Sequence, residues 1–381
     1  MSLKTKSAPF FLLVILTFVF LSPICNGDQF CKFARKNDEC TKVQGMFVFG
    51  SSLVDNGNNN FLVKSLAKAN YLPYGVDFPL LEPTERFTNG KNVIDLLGDH
   101  LKIPTYIPSF NDPSTKGSKI IHGVNFASGG SGILDDTGVV AGEVISLNQQ
   151  IRNFENVTLP ELEEQIECNS KKSLKNYLFV VGSGGNDYSL NYFLGLVNKN
   201  ITTIQDFTAN LTITLSHQLK RLYDMGARKF VVMALYPNGC SPMARARNPN
   251  ATDCIQILND AAQLFNTNLR TLVDSPTLQM PDSTIVIVNA YKIIMDILQN
   301  PSPYGFSDTK NPCCDVATIQ EGGTGTLCKK GGNVCSDRNA NVYFDGLHPT
   351  EAVNFVLANK AFSSNLIDEV YPINVHLLSI V

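Results

Sequence analysis

Residues 46–60 read MFVFGSSLVDNGNNN, and the interpretation of the whole chain starts from this stretch. It opens with an apolar run of the length of a buried strand. Gly50 ends the run and permits a tight turn that a Cβ atom would block. A serine at the tip of such a strand would present its hydroxyl at the carboxyl edge of the sheet, where open α/β sheets bind ligands. Ser52 is therefore a candidate nucleophile, although the stretch alone favours a strand followed by an ordinary hydroxyl-capped turn.

The N-terminal segment has the pattern of a secretory signal peptide. A basic start precedes an apolar run over 10–21, and Cys25 and Gly27 are small residues at −3 and −1 of a predicted cleavage site. The run is shorter than the ~20 residues that a helix needs to span a bilayer. No later segment is long and apolar enough to span one. We therefore expect residues 1–27 to be removed, leaving residues 28–381 as a soluble, secreted protein.

The composition is that of a globular domain. The 381 residues are 44% hydrophobic and 17% charged, and the formal charge is −3. Loss of the two lysines in the leader would take the charge to −5. A mildly acidic chain without basic runs argues against nucleic acid or an anionic membrane surface as partner. No internal repeat, low-complexity linker or change of composition marks a second domain, so residues 28–381 are predicted to form one domain.

The chain has ten cysteines, which in a secreted protein indicate disulfides. Nine remain after cleavage, so at least one would be free or would pair between molecules. Four of them cluster late in the chain: Cys313, Cys314, Cys328 and Cys335. Zinc is an alternative for this cluster, but it lacks CxxC pairs and the secretory context favours bridges. Four Asn-x-Ser/Thr sequons are candidate glycosylation sites: Asn156, Asn200, Asn210 and Asn250.

Beyond the first strand, β-rich apolar runs alternate with helical patterns. Further strands are predicted at Ile120–Phe126, Tyr177–Val181, Lys229–Leu235 and Thr284–Asn289. Helices are predicted at Val93–Leu101, Glu143–Phe154, Leu159–Cys168, Ile204–Met225, Asp253–Leu278, Tyr291–Leu298 and from Pro349 to about Val370. Asn92 would cap the first helix, and Gly226 would end the fourth. The alternation predicts a five-stranded parallel sheet covered on both faces. Residues 301–337 are expected to form a long loop stapled by its cysteines.

Near the C-terminus, Asp345-Gly346-Leu347-His348-Pro349 forms a predicted turn that opens a helix. An Asp and a His three residues apart can lie on one face, so the carboxylate can accept from Nδ1–H and leave Nε2 free as a base. Such a pair is common by chance and also fits a polar helix N-terminus. His348 is the only one of the five histidines with this arrangement. No histidine forms an HxH or HExxH pattern, so no metal site is predicted.

Two Gly-rich loops after predicted strands supply candidate donors for an oxyanion. Gly129, in ASGGSG over 127–132, would offer a backbone N–H that no side chain screens. Asn186, in GSGGND over 182–187, would offer its side-chain amide. The first loop is neither GxGxxG nor GxxxxGK[ST], so it indicates nucleotide binding only weakly. Asn186 and Asp187 would equally suit the cap of a helix.

Taken together, these stretches resemble the GDSL (SGNH) hydrolases, specifically the secreted plant esterase/lipase branch. The matching blocks are Gly50-Ser51-Ser52-Leu53-Val54-Asp55-Asn56-Gly57, Asn125-Phe126-Ala127-Ser128-Gly129-Gly130, Gly184-Gly185-Asn186-Asp187 and Asp345-Gly346-Leu347-His348-Pro349-Thr350-Glu351. The segment Arg86-Phe87-Thr88-Asn89-Gly90 also looks like one that recurs in the plant branch. The resemblance implies a three-layer α/β/α, flavodoxin-like fold and ester hydrolysis by a serine. It implies no metal or organic cofactor and a location in the apoplast or cell wall.

The resemblance also assigns roles by position. Ser52 would attack the acyl carbon, His348 would act as the base and Asp345 would orient the imidazole. Three oxyanion donors are implied: the N–H of Ser52, the N–H of Gly129 with Gly130 as the close alternative, and the amide of Asn186. An acyl-enzyme would form and water would hydrolyse it. The expected partner is an acyl ester or lipid molecule, without stable insertion into a membrane.

The sequence departs from the family at Ser51, where the family has Asp. Asp holds a tight turn by accepting backbone N–H bonds, and Ser does so more weakly. Because Ser51 is not the attacking residue, we expect a perturbed turn or an altered electrostatic environment rather than lost chemistry. A binding protein that keeps the cleft but has weakened catalysis is one alternative. An acyltransferase that uses the same triad, with a hydroxylated acceptor in place of water, is another.

Overall fold

The computed structural model describes residues 43–79, 83–166, 173–197, 202–248, 253–275, 278–318, 320–321 and 323–381. The strands are β1 (Gly45–Gly50), β2 (Tyr177–Gly182), β3 (Lys229–Met233), β4 (Thr284–Val288), β5 (Asp308–Pro312), β6 (Asn341–Tyr343) and β7 (Val370–Tyr371). The helices are α1 (Val93–His100), α2 (Leu147–Asn153), α3 (Leu159–Ile166), α4 (Ile204–Met225), α5 (Pro242–Ala246), α6 (Gln256–Asp274), α7 (Ala290–Gln299), α8 (Glu351–Ser363) and α9 (Val375–Ile380). None of these helices has the length and apolar character to cross a bilayer. The predicted signal peptide at 1–27, the sequons at Asn200 and Asn250, and three of the nine cysteines expected in the mature protein, Cys31, Cys40 and Cys168, fall outside the described residues.

The central sheet has five strands in the order β1-β2-β3-β4-β7. The first four are parallel, and each is paired in register with its neighbour, from Gly45 opposite Tyr177 onward. Strand β7 joins antiparallel at the outer edge of β4. The prediction of an α/β fold on a mostly parallel five-stranded sheet in one domain is confirmed. Its fifth strand, however, is not the one that was predicted.

The prediction of a strand at Ile120–Phe126 is wrong. A 3₁₀ turn covers Gly117–Ile120, and only an isolated bridge pairs Asn125 with Val48 of β1. Gly123 interrupts the segment because its φ of +108° lies in the left-handed region and a Cβ there would stand 1.8 Å from the Met46 carbonyl oxygen. The segment is still hydrogen-bonded along β1 and parallel to it. The five predicted runs therefore lie side by side in the order 2-1-3-4-5, the flavodoxin-like order.

Two apolar cores cover the two faces of the sheet. Successive side chains of a strand point to opposite faces, so Phe47 and Phe49 enter one core while Met46 and Val48 enter the other. Helices α4 and α6 pack on the first face, whereas α1, α7 and α8 pack on the second. Each strand of the parallel core is buried on both sides, which explains its near-continuous hydrophobic sequence. The implied α/β/α layering is thus observed.

Two helix signals, the cap at Asn92 and the stop at Gly226, were accurate, whereas the helix predicted at Glu143–Phe154 begins only at Leu147. Asn92 accepts from the N–H groups of Ile94 and Asp95 in a capping box at the start of α1. Helix α4 has the predicted bounds and ends at Gly226. The last predicted helix was too long, because α8 stops at Ser363 and the chain then turns to add β7. A strand of two residues is too short to give the hydrophobic pattern from which strands are predicted.

The segment 301–337 is held by disulfides, as predicted. Cys313 pairs with Cys335 and Cys314 pairs with Cys328, so these four cysteines are not a zinc site. The segment is not wholly a loop, since it contains β5, which pairs with β6. Elsewhere a third bridge joins Cys240 to Cys254. All six cysteines in the described part of the chain are paired, so the predicted unpaired cysteine is not among them.

Candidate active site

Ser52 lies in the turn that follows β1 at the carboxyl edge of the sheet. Gly50 makes this turn possible, because its φ is +147° and a Cβ would stand 2.3 Å from the carbonyl oxygen of Gly182. The turn closes with a hydrogen bond from the Val54 N–H to the Ser51 carbonyl at 3.0 Å. Ser52 is half-buried and lines a small cleft together with Asn186 and other residues after β2 and β3. The structure thus places the predicted nucleophile where α/β sheets bind ligands.

Asp345 and His348 reach the same place from the far end of the chain. Both residues lie in the turn that follows β6. The Asp345 carboxylate stabilises this turn by accepting the N–H of Leu347 at 2.8 Å and the N–H of His348 at 2.7 Å. The His348 Nδ1 lies 2.8 Å from Asp345 Oδ2, and its Nε2 lies 2.8 Å from Ser52 Oγ. The three side chains therefore form one hydrogen-bonded line that ends on the serine hydroxyl.

Phe87 packs against the imidazole of His348, with ring centroids 4.9 Å apart. It belongs to the segment 86–90, which is bound to the turn of His348 through a hydrogen bond from Thr88 Oγ1 to the Pro349 carbonyl at 2.9 Å. The resemblance drew attention to this segment, but no signal in the sequence predicted its contact with His348. The contact spans more than 250 residues, and no local pattern indicates it.

Tyr74 is a second residue at the site that the sequence analysis missed. Its hydroxyl lies 2.7 Å from Asp345 Oδ2, and the side chain is fully buried. Burial and the charge of Asp345 raise the pKa of Tyr74 well above its ordinary value, so the phenol remains protonated and donates to the carboxylate. Tyr74 lies in a Pro-rich segment, and no pattern in the sequence around it indicated a functional role.

The candidate oxyanion donors are only partly arranged as predicted. The N–H of Gly129 already donates to Asp55 Oδ2 at 2.8 Å. The N–H groups of Ser52 and Gly130 have no hydrogen-bond partner among the described residues. Asn186 uses one amide hydrogen on the Ser131 carbonyl at 2.9 Å, which leaves the other for a ligand. Of these two glycines, Gly130, the close alternative in the sequence analysis, is thus the one whose N–H is not already bound to Asp55.

Two buried carboxylates hold the loops that carry these donors. Asp55 accepts from the N–H groups of Gly57 and Asn58 as well as from Gly129. Burial raises the pKa of the Asp55 carboxyl to about 6.

Asp187 plays the corresponding part beside Asn186. Its carboxylate accepts the N–H of Ile133, the N–H of Leu134 and the hydroxyl of Thr137. Burial raises the pKa of Asp187 to about 6 as well. Because Asp187 ties the loop over 133–137 to the segment after β2, it fixes the spacing between the two Gly-rich loops.

Two of the four predicted glycosylation sites lie among the described residues. Asn156 and Asn210 are exposed, which glycosylation of a sequon requires. Within the described ranges, no group of three or more His, Cys, Asp or Glu side chains could hold a metal ion.

Comparison with known proteins identifies the family. Residues 46–361 match the sequence model of the family described as GDSL-like Lipase/Acylhydrolase. The chain belongs to the GDSL lipase/acylhydrolase family. It is 39% identical to the GDSL esterase/lipase At1g29670 of Arabidopsis thaliana, over 95% of this chain and 97% of that protein. It is 37% identical to the GDSL esterase/lipase At4g16230 of the same plant, over 96% of each chain. With At5g08460, another Arabidopsis thaliana GDSL esterase/lipase, identity is 41% over 88% of this chain and 87% of that protein. The resemblance inferred from the four sequence blocks is thereby confirmed.

Proposed function

We propose that this member of the GDSL family is a secreted serine esterase or lipase that hydrolyses acyl esters through Ser52, His348 and Asp345. The observation that carries the proposal is the unbroken line of hydrogen bonds from Asp345 Oδ2 to His348 Nδ1 and from Nε2 to Ser52 Oγ, each 2.8 Å long. Membership of the family supports the reaction class, carboxylic ester hydrolysis. The assignment of the steps to individual residues is our own.

In the first half of the reaction, the Ser52 hydroxyl attacks the acyl carbon while His348 Nε2 takes its proton. Asp345 keeps the Nδ1 proton in place and stabilises the imidazolium that forms. The imidazolium then gives its proton to the leaving alcohol, and the acyl group stays on Ser52 as an ester. In the second half, water gives a proton to His348 as it attacks this ester. The imidazolium then returns the proton to Ser52 Oγ as the bond to the acyl group breaks and the acid leaves.

The negative charge that develops on the acyl oxygen requires donors that are already in place. We assign this role to the N–H of Ser52, the N–H of Gly130 and the free amide hydrogen of Asn186. Gly130 replaces Gly129 in this assignment because the Gly129 N–H is bound to Asp55. Each such donor is worth roughly a hundredfold or more in rate.

The cleft beside Ser52 suits an uncharged ester. Its walls combine the apolar side chains of Leu53, Met233 and Leu235 with the amides of Asn186 and Asn238. Among the described residues that line it, none is Lys, Arg, Asp or Glu. An acyl ester or lipid molecule fits this surface better than a phosphorylated or strongly anionic substrate does.

Secretion is supported by three disulfides in the described chain and by two exposed sequons. Expression of the full chain in plant cells, followed by N-terminal sequencing and treatment with a glycosidase, tests it. We expect the secreted protein to begin at Asp28 and to lose mass on deglycosylation. A protein that keeps residue 1 and remains inside the cell would contradict secretion.

The enzymatic proposal is tested by labelling with a fluorophosphonate and by hydrolysis of p-nitrophenyl esters. The purified protein should be labelled on Ser52, and Ser52→Ala should abolish labelling and lower kcat by about 10⁴-fold or more. Ser51→Ala is the matched control, since it removes the neighbouring hydroxyl and leaves the attacking one. Absence of labelling in a folded wild-type protein would reject the triad as functional.

The weakened-binder alternative rests on Ser51, whose side chain lines the cleft where the family has an acid. In the structure the turn is nevertheless closed, by the Val54 N–H on the Ser51 carbonyl. We therefore expect the wild type and Ser51→Asp both to hydrolyse p-nitrophenyl esters. Activity that appears only in the Ser51→Asp variant would favour the binder.

A further inference from the structure

The Asp345 carboxylate has a donor that the three-residue line does not include. Its Oδ2 atom lies 2.8 Å from His348 Nδ1 and 2.7 Å from the hydroxyl of Tyr74. The tyrosine oxygen itself accepts the backbone N–H of Cys328 at 3.1 Å. Because that N–H occupies an acceptor position on the phenol oxygen, the phenol proton is directed toward Asp345.

We infer that Tyr74 is a positioning residue for the triad, which holds the Asp345 carboxylate in place and sets how strongly it favours the charged form of His348. The inference rests on the proposed function, since it concerns the same triad. It adds a residue 271 positions away from Asp345 that the triad itself does not contain.

The effect of Tyr74 on the charge of Asp345 follows from the groups that surround this carboxylate. Asp345 is fully buried, and His348 is its only ion-pair partner among the described residues. The Asp345 charge helps to raise the pKa values of three tyrosines: Tyr71, Tyr74 and Tyr236. Tyr74 is the only one of the three that donates to the carboxylate. A donor on a buried carboxylate disperses its charge, so its removal should make the carboxylate attract the imidazolium more strongly.

The effect of Tyr74 on the position of Asp345 follows from the residues that pack around the Tyr74 ring. Tyr74 packs edge-on against Tyr71, Phe87 and Phe344, with centroids 5.4, 6.1 and 5.7 Å apart. The Cys314–Cys328 bridge holds the strand of chain that supplies the Cys328 N–H. The disulfide-bonded segment therefore contacts the Asp345 carboxylate through the Tyr74 phenol, and it also binds the turn of Asp345 directly, since the Gly346 N–H donates to the Thr326 carbonyl at 2.8 Å. Both contacts give its cross-links a role in the geometry of Asp345.

Tyr74→Phe tests the inference, because it removes the hydroxyl and keeps the ring in its apolar cage. We expect the acidic limb of the kcat/KM profile for a p-nitrophenyl ester to move to higher pH by about 0.5 to 1 unit. We expect kcat on the plateau to fall by roughly threefold to tenfold while KM changes little. Tyr71→Phe is the matched control: its hydroxyl donates to the Cys328 carbonyl at 2.9 Å and does not touch Asp345. It should leave the acidic limb where it is.

A second readout does not require activity. In protein labelled with ¹³C-histidine, the ring of His348, assigned with His348→Gln, should titrate at higher pH in Tyr74→Phe than in wild type. A folded Tyr74→Phe variant with an unchanged His348 titration and an unchanged acidic limb would overturn the inference. An equal shift of the His348 titration in Tyr71→Phe would also overturn the inference, since the effect would then come from the packing of the aromatic rings and not from the Tyr74 hydroxyl. If instead no ester were hydrolysed while the ring titration shifted, the proposed function would fail and the inference about Tyr74 would stand.

Discussion

Replacement of Gly129 by alanine tests how His348, the proposed catalytic base, is held in position. An ideal Cβ at this position would stand 2.7 Å from Cζ and 2.9 Å from Cε2 of Phe87, whereas ordinary contact begins at 3.4 Å. The ring or the loop must therefore move by about 0.7 Å, the difference between 3.4 and 2.7 Å. Phe87 also packs on His348, whose Nε2 lies 2.8 Å from Ser52 Oγ, so its movement disturbs that contact.

The substitution should lower both the stability of the fold and the rate of the reaction. Overpacking of this kind costs about 1–3 kcal/mol of stability. A displacement approaching 1 Å at reacting groups costs up to about a hundredfold in rate, so we expect kcat to fall by roughly 10- to 100-fold with little change in KM. The variant keeps its N–H and the hydrogen bond to Asp55, so the loss would report the position of Phe87 and not a missing donor.

The assay is hydrolysis of p-nitrophenyl butyrate, together with urea unfolding of each variant. Gly98→Ala is the control, since its Cβ would meet only Met46 Cε at 3.6 Å and alanine favours the helix α1. Gly129→Ala combined with Phe87→Leu should recover part of the lost kcat. Two results would refute the reasoning: a kcat of Gly129→Ala within twofold of wild type, or an undiminished loss in the double variant.

Three further predictions concern the residues that support the site. Asp187 has a raised pKa of about 6 in the fold against about 3.9 when unfolded, so its contribution to stability is present at low pH and is lost as pH rises from about 4 to 6. Urea unfolding should show that the free energy of unfolding of wild type, relative to that of Asp187→Asn, falls by about 3 kcal/mol across this pH window. A difference that stays constant with pH would contradict the raised pKa. Arg86→Met leaves the buried Asp95 without its partner and should cost about 3–5 kcal/mol in the same assay, whereas Lys220→Gln, in an exposed pair, should cost no more than about 1. Asn92→Ala removes the cap of α1 and should lower the thermal midpoint in keeping with a loss of about 1 kcal/mol, and an unchanged midpoint would show that the cap contributes nothing.

The sequence predicted best the features that depend on neighbouring residues. The apolar run before Gly50, the cap at Asn92 and the pair Asp345 and His348 are all local, because each depends on residues no more than a few positions apart. In these cases the backbone conformation and the side-chain partner come from the same short stretch, so the pattern is sufficient.

Features that depend on distant residues were missed. The segment Ile120–Phe126 has the apolar character of a strand because it is buried beside β1, but Gly123 breaks its geometry. Tyr74 and Phe87 contact the triad only after the chain has placed residues more than 250 positions apart side by side. The partner of the Gly129 N–H likewise depends on Asp55, 74 residues earlier. The hydrophobic periodicity of the sequence does not indicate such long-range contacts.

The buried carboxylates explain why Ser51 can replace an aspartate without opening the first turn. At three points along the carboxyl edge, an aspartate accepts backbone N–H groups that would otherwise be unpaired: Asp55, Asp187 and Asp345. Asp55 joins the loop after β1 to the loop that carries Gly129, so it fixes the position of Ser52 relative to the donors from a site that Ser51 does not touch. The turn itself is closed by backbone atoms, since the Val54 N–H donates to the Ser51 carbonyl and the Ser51 N–H donates to Gly182. A carboxylate at position 51 is therefore redundant for the geometry of this turn, and its absence should alter the electrostatics of the cleft more than the shape of the cleft.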